Sequence, residues 1–417
     1  MCSTEFATLG RAQARALGCA DLPITVVPHP FGLNARAKVR ALAEICVQDI
    51  EKLVCAAAES GVAHTVVSEH TGLTVQVDDS AEAVNLLFCE RQWTDGLPIV
   101  PPTAERVDRM MKFTPRAPDD VVGIVAPGFG AATVRRIAIN AVMAGCHPEY
   151  LPVLIAAVEA VTAPEFNLQA IQVTTNPAAV WLIVNGPVAR RLGMNAGVNC
   201  LGQGNWANAT LGRALRLVMQ NIGRAFPGEM DRATQGHPGK YMFCCAENEA
   251  DSPWEPLHVE RGFRAEQSAV TVVGAEGAIN MNTHSKSAEE IVRVVAETMP
   301  RPPSNDYTLG GDPWVVFCPE HAQILRAAGL SKVDVKRQLW EQSKMVAGRM
   351  AAVDLQRTRI ARLAELGAVM PDTMLPISPS PDRIGILVAG GPGTHSIYIP
   401  SFADTSRATT REVIWAG

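Results

Sequence analysis

Four times along this chain a short apolar run breaks off at glycine and hands over to polar residues. The breaks follow Ala126 (Pro127-Gly128-Phe129-Gly130) and Asn185 (Gly186-Pro187), begin at Gly274 (Ala275-Glu276-Gly277), and follow Ala389 (Gly390-Gly391-Pro392-Gly393). Each run has the length and β-branched content of a buried strand, and each break suits a tight turn. Helical patterns of 3.6-residue period lie between the runs. The recurrence constrains the chain to an α/β fold with a mixed sheet and Gly-rich strand-end loops. In such folds the loops at strand carboxyl ends gather the ligand.

The stretch 121–161 is the densest example. A strand is predicted over 121–126 and a helix from about Ala131, with Val134, Ile137, Ala138, Ala141 and Val142 on one stripe. Gly145 should stop that helix, and Cys146-His147 leads to Pro148, a good first-turn residue for the next one. Gly128 and Gly130 permit positive φ and close backbone approach, so this turn reads either as a structural turn or as a substrate-binding loop at a helix N-terminus. Gly128-x-Gly130-x-x-Thr133 lacks the third glycine of a dinucleotide fingerprint, and no acid stands at a strand end about 20 residues on. A nicotinamide cofactor is therefore not expected.

Composition narrows the class. The chain has 417 residues, 47% of them hydrophobic, enough for extensive buried sheet or subunit interface. A formal net charge of −5 gives no nucleic-acid or membrane footprint. No apolar run approaches the roughly 18 residues of a membrane span. Glu5, Arg11 and Arg15 exclude a signal peptide from the opening segment. The ten cysteines lack paired short spacings apart from the adjacent Cys244-Cys245. A cytoplasmic setting is the economical expectation.

The opening segment is predicted to be helical over 7–17, extended over 22–27 and helical over 35–58. This α–β–α fragment has no strand before its first helix, and a lone strand cannot satisfy its edges. Something must pair with Ile24 to Val27. The bridge over 61–80 carries His64, Glu69 and His70, which read as surface residues.

Thr4-Glu5-Phe6, Ala12 to Gly18, and Val27-Pro28-His29-Pro30-Phe31-Gly32 resemble the second part of the UGSC-type (seleno)protein domain. The resemblance implies a truncated Rossmann-like fragment over 1–80, linker included, followed by a larger α/β domain over 81–417. In that family a Cys- or selenocysteine-Gly-Ser-Cys motif lies upstream of the segment that matches Ser3 to Phe6. This chain has no Cys-Gly-Ser-Cys. Either a second subunit carries the motif and completes the half-domain, which is the favoured reading, or this branch has lost it. Asp95-Gly-Leu-Pro-x-x-Pro-Pro-Thr103, Val125-Ala-Pro-Gly-Phe-Gly130, Ala144-Gly-Cys-x-Pro-Glu-Tyr150 and Asn205-x-Ala-Asn-Ala-Thr-Leu-Gly-Arg-Ala214 are similar to the large domain encoded with, or fused to, such modules.

Chemistry-bearing residues concentrate in three places. Asn195, Asn199, Gln203, Asn205 and Asn208 exceed what helix capping needs, so Asn205 and Asn208 are candidates for substrate contact or for an interface. They open a helix with Arg213 and Arg216 on its polar face, either solvated or holding a carboxylate. The richest segment runs from His237 to His258 with Lys240, Glu247, Glu249 and Glu255. It can divide acid and base work or, through His237 and His258, bind a metal ion. Gly390 and His395 follow the last strand and are expected at the same cleft. Cys146 is the in-chain thiol to watch, because it sits between two helix ends and the start at Pro148 could lower its pKa; the alternative, a buried structural cysteine, is the favoured reading. The charged stretch 332–365 reads as a helical solvent or partner face.

The leading expectation is a thiol-linked oxidoreductase or reductive lyase acting on a small polar or anionic metabolite, with a partner thiol or selenol as electron source and a homo- or hetero-oligomeric state. The alternatives are a metal-dependent hydrolase or lyase using the His237–His258 cluster, and a non-catalytic accessory subunit.

Overall fold

Two four-stranded sheets lie face to face in the computed structural model, each backed by helices. The structure describes residues 1–31, 34–56, 74–302, 304–403 and 405–415. His64, Glu69 and His70 lie outside the described residues.

The N-terminal segment is β1 (Cys2–Ser3), α1 (Ala7–Ala16), β2 (Val26–Val27) and α2 (Arg36–Ala56). The pairing expected for Ile24 to Val27 comes from the chain itself. Cys2 and Ser3 lie parallel to Val26 and Val27, so a strand does precede the first helix and the unit is βαβ. Two residues carry too little pattern for that strand to be read from sequence.

Next comes the hairpin β3 (Val121–Val125) and β4 (Gly130–Thr133), leading into α3 (Val134–Ala144) and α4 (Leu151–Val161). The helix predicted from Ala131 starts three residues later. Its first expected turn pairs instead with β3, and Thr133 caps it by accepting from the Arg136 amide at 3.3 Å. The stripe of Val134, Ile137, Ala138, Ala141 and Val142 is buried, and Gly145 closes the helix at φ +86°.

The strands of the two large sheets follow: β5 (Ala179–Asn185), then α5 (Trp206–Asn221), β6 (Cys244–Ala246), β7 (Ala269–Ala275), β8 (Ile279–Asn282), α6 (Ala288–Thr298), β9 (Trp314–Phe317), α7 (Pro319–Ala327) and α8 (Lys332–Gln342). A short pair, β10 (Met345–Val346) and β11 (Met374–Leu375), precedes β12 (Gly385–Val388), β13 (His395–Ile399) and β14 (Thr409–Glu412). The first sheet has the order β14-β7-β5-β6 and the second β8-β13-β9-β12.

Both faces of each sheet are covered, so the inner strands read as unbroken apolar runs rather than alternating ones. Val180, Leu182 and Val184 of β5 face α3, α4 and α5, while Ala179, Trp181 and Ile183 face the second sheet. Val315 and Phe317 of β9 face α6, α7 and α8, while Trp314 and Val316 look back across the interface. The layers are therefore αββα.

The two sheets share one plan. In each, the first strand (β5, β9) is parallel to the second (β6, β12) and antiparallel to the third (β7, β13). The remaining edge strand is exchanged. β8 follows β7 but pairs with β13, and β14 follows β13 but pairs with β7. The two connections cross at a bridge between Ala275 and Ser401, flanked by Glu276 N–H to Pro400 O (2.9 Å) and Phe402 N–H to Gly274 O (2.8 Å). Trp181 lies opposite Val273 and Trp314 opposite Ile399, each two residues before the bridged pair. The two indoles meet edge to face with centroids 5.7 Å apart.

The stretch 332–365 is not one solvated helix. It breaks after Gln342, and Lys332, Lys336 and Arg362 are buried. Among the described residues no single helix is long and apolar enough to cross a membrane.

Candidate functional site

The carboxyl ends of the parallel pair β5 and β6 form a polar enclosure. Asn185 ends β5, and Gly186 turns the chain at φ +83°. Glu247 and Glu249 follow β6 directly, and the chain returns through Pro256 to place His258 against them. Asn185 Nδ2 donates to Glu247 Oε2 (2.5 Å) and Glu249 Oε1 (3.4 Å). The Gly186 amide donates to Glu249 Oε1 (2.6 Å), and the Leu257 amide to Glu247 Oε2 (2.7 Å). His258 Nδ1 lies 3.9 Å from Glu249 Oε1.

Asn185, Glu247 and His258 are all buried, yet Asn185 Oδ1, Glu247 Oε1 and both ring nitrogens of His258 have no hydrogen-bond partner. Buried polar atoms are normally satisfied, so four orphans in one enclosure mark a place built for something other than protein packing. Burial pushes the Glu247 carboxyl up to about 7, and the charge of Glu249 adds to this. Lys332, the Leu257 amide and Asn185 oppose it. Lys332, whose charge reaches Glu247, and its neighbour Lys336 both pair with Glu260, Lys332 Nζ at 3.0 Å. Burial works against the charge of Glu260, but the two lysines outweigh it and hold that carboxyl low. Arg190, mostly exposed, reaches Glu249 Oε2 at 3.5 Å from the rim. A carboxyl poised near neutrality can give and take protons, and the carboxylate nearest the His258 imidazole is Glu249.

Of the residues singled out in sequence, Glu247, Glu249 and His258 come together and the others of that segment do not. The ring of His237 faces the carbonyl of Ala275, which pairs with Ala179 at the start of β5. His258 sits by Asn185 at the other end, and seven residues of strand separate the two places by about 20 Å. His237 and His258 therefore cannot share an ion. Among the described residues no group of three His, Cys, Asp or Glu is arranged to hold a metal. Burial holds the His237 imidazole below its usual range. Lys240 pairs with both oxygens of Asp231 (2.6 and 2.7 Å) and serves the 228–240 loop. Glu255 is exposed.

Cys146 is the buried structural cysteine of the favoured reading, and the lowered pKa is not found. Its thiol is buried, and desolvation pushes it up to about 12 against the opposing influence of Thr210 and Arg213. The helix start at Pro148 is a single 3-10 turn and does not offset that burial.

The asparagine cluster is committed to its own loop. Asn205 caps α5, accepting from the Asn208 amide (3.0 Å), and donates to Gly193 O (2.8 Å). Asn208 is buried and pins the Asn195 amide and the carbonyls of Asn195 and Cys200. Gly128 and Gly130 are explained by close chain packing. A Cβ on Gly130 would lie 2.3 Å from Ile222 O, and the Gly128 amide donates to Gly223 O (2.8 Å). Arg213 does hold a carboxylate bidentately, but it is that of Asp95, at 2.8 Å through two nitrogens. Arg216 is buried and bonds to Lys240 O and Gln172 rather than being solvated.

A second crevice lies at the carboxyl ends of β9 and β12; Pro392, between Gly390 and His395 in the chain, lines it, and those two residues do not. This is the counterpart of the first under the shared plan of the sheets. It opens as a cleft of about 560 Å³ lined by Asp251, Lys286, Pro319, Glu320, Gln323, Ile324 and Pro392. The two crevices adjoin. The Asn248 amide donates to Val388 O (2.8 Å), and the Gly390 amide to Ala196 O (2.8 Å). The loops 193–205, 247–255 and 390–393 thus meet. The Gly128 turn does not, because it belongs to a separate hairpin. The Gly274 turn does not, because β7 runs antiparallel and ends at the opposite edge.

Two features were not read from sequence. The charge of Lys332 reaches Glu247 from 85 positions further along the chain, with no local signal for the approach. Cys200 and Cys245 are hydrogen-bonded neighbours between the sheets, the contact lowering the Cys200 thiol while it and burial raise that of Cys245. Strand alternation alone sends adjacent Cys244 and Cys245 to opposite faces, which was readable.

Residues 1–56 match the UGSC family, and the N-terminal part of the chain is of UGSC type. No curated protein and no solved structure matches the chain.

Proposed function

We propose that the chain is an enzyme performing acid–base chemistry on a small polar or anionic metabolite at the β5–β6 crevice. Glu247 exchanges the proton, His258 is its partner, and Glu249 with Asn185 orients both. The observation that carries this reading is the set of four buried, unpartnered polar atoms on Asn185, Glu247 and His258. Glu247 near neutrality suits a group that must act in both protonation states. Lyase or hydrolase chemistry without a metal shared by His237 and His258 fits these residues.

The test is turnover of a panel of small hydroxy-, keto- and aminocarboxylates, followed by proton NMR in deuterated buffer. Wild type should exchange or eliminate a proton on one of them. Glu247→Gln and His258→Gln should each lower that rate by about a hundredfold or more while the fold persists. Full activity in both variants would remove the proposal.

A second reading is a thiol-linked oxidoreductase, in which the UGSC-type segment is a Rossmann-like half-domain that docks a partner carrying the redox thiol or selenol. The paired thiols of Cys200 and Cys245 favour it. So does α2, which leaves Ile45, Val47, Ile50 and Val54 exposed over its length. A co-purifying subunit with a Cys-Gly-Ser-Cys motif, lost on Ile50→Asp, is its expected signature.

A further inference from the structure

The acid–base reading leaves the second crevice without chemistry, and a thiol lies beneath it. Cys318 follows β9 and occupies the N-cap position of α7. Its amide donates to Ser396 Oγ (3.3 Å), and Ser396 Oγ lies 3.8 Å from Cys318 Sγ and 2.8 Å from His321 Nδ1. His321 Nε2 lies 3.0 Å from the carbonyl of Thr283. A carbonyl only accepts, so Nε2 carries the proton and Nδ1 is left as the acceptor facing Ser396. Sulfur, hydroxyl and imidazole therefore form an ordered relay across β9, β13 and the first turn of α7.

Three further observations bear on the relay. Burial raises the Cys318 thiol, and the Glu320 carboxylate adds to this; the backbone amides of His321 and Glu320 and the Ser396 hydroxyl oppose it, so the thiol needs a base to lose its proton. Burial also keeps His321 below its usual range, hence neutral and able to accept a proton. Pro319 and Glu320, the two residues after Cys318, line the 560 Å³ cleft with Ile324, Pro392 and the cationic Lys286. Asp251 and Glu320 outnumber that one lysine, so the lining suits a small apolar molecule with a cationic group.

We propose that Cys318 is a nucleophilic thiol that takes amine-bearing small disulfides from this cleft, its proton leaving through Ser396 to His321. The Cys318 sulfur attacks one sulfur of the disulfide. A new S–S bond forms, the old one breaks, and the departing thiolate recovers the proton from His321. The disulfide is the oxidant and one of its halves is released as thiol, so electrons and protons balance. Cys318 is the reacting group; Ser396 and His321 position and relay. The inference does not rest on Glu247 or His258, which belong to the other crevice.

The experiment treats the full chain with dithiodiglycolate, and separately with the cationic disulfide cystamine, and follows the mixed disulfide at each cysteine by peptide mapping. Cys318 should react faster than the fully buried Cys244, and faster with cystamine than with dithiodiglycolate. Ser396→Ala and His321→Gln should each slow Cys318 by about tenfold or more while leaving the exposed Cys89 unchanged. Ser396→Thr, which keeps the hydroxyl, should restore the rate. A variant that merely loosens the fold would speed labelling of a buried thiol, so slowing is diagnostic. Reaction of Cys318 no faster than Cys244, or a rate indifferent to Ser396→Ala, would overturn the proposal.

Discussion

Glu247 stands under opposed demands: it is hydrogen-bonded as a carboxylate and buried as though it were neutral. The consequence is a definite pH dependence. Its carboxyl titrates near 4.5 when unfolded and at about 7 when folded. Between those values the folded state binds the extra proton, so stability falls as pH rises through the window. The loss from this one group is about 3 kcal/mol. Buried Asp306, also raised to about 7 by burial, acts in the same sense. Asp95 and Glu260 are held low, so their contributions lie at lower pH. Urea unfolding near pH 5 and near pH 8 should therefore show a clear decline in stability for wild type. It should show a shallower one for Glu247→Gln, which should be the more stable protein at the higher pH. Equal slopes would mean that Glu247 is solvated like a surface carboxylate.

At the scale of elements, the crevice depends on how closely the turn after β5 can approach the chain beside it. A Cβ on Gly186 would lie 2.3 Å from the carbonyl oxygen of Gln267, and φ there is +83°. Gly186→Ala should destabilise by about 2 kcal/mol or more, combining left-handed strain with a backbone clash. It should also shift the amide that holds Glu249. Gly193, at φ +61° with nothing within 4 Å, is the control, since Gly193→Ala carries the strain alone and should cost about 1 kcal/mol. Equal urea midpoints for the two variants would show that the approach to Gln267 is not binding. The same turn illustrates what sequence could tell. Helices α3 and α5 and strands β5, β7 and β9 announce themselves because their apolar periodicities are local. Glu247, Glu249 and His258 were legible together because one proline-bounded segment carries all three. Strands β1 and β4 were not, since two residues or four small ones have no pattern. Nor was the relay of Cys318, His321 and Ser396, because only the pairing of β9 with β13 brings Ser396 across to the other two.

For the whole molecule the exchanged edge strands are the controlling fact. Each sheet borrows its fourth strand from the half of the chain that builds the other, so neither sheet is complete on its own. Residues 405–415 are the more accessible loan. Without them the β7 edge from Ala269 to Val272 loses its ladder, the hydrogen bond between Thr271 and Thr410 (2.9 Å) and the contact of Thr409 Oγ1 with Ala160 O (2.7 Å). An uncovered edge pairs with whatever strand it meets. A chain ending at Ala403 should therefore self-associate at micromolar concentration, and the far-UV signature of the helices should survive at first, because α3, α4 and α5 still cover the outer face. A synthetic peptide of residues 405–415 supplied in excess should return the truncated chain to the wild-type association state, since it restores the one missing strand. A truncated chain with the wild-type association state and an unchanged urea midpoint would mean that β14 merely decorates the edge. In that case the crossing at Ala275 and Ser401, with the paired indoles of Trp181 and Trp314 beneath it, would alone be holding the two sheets in register.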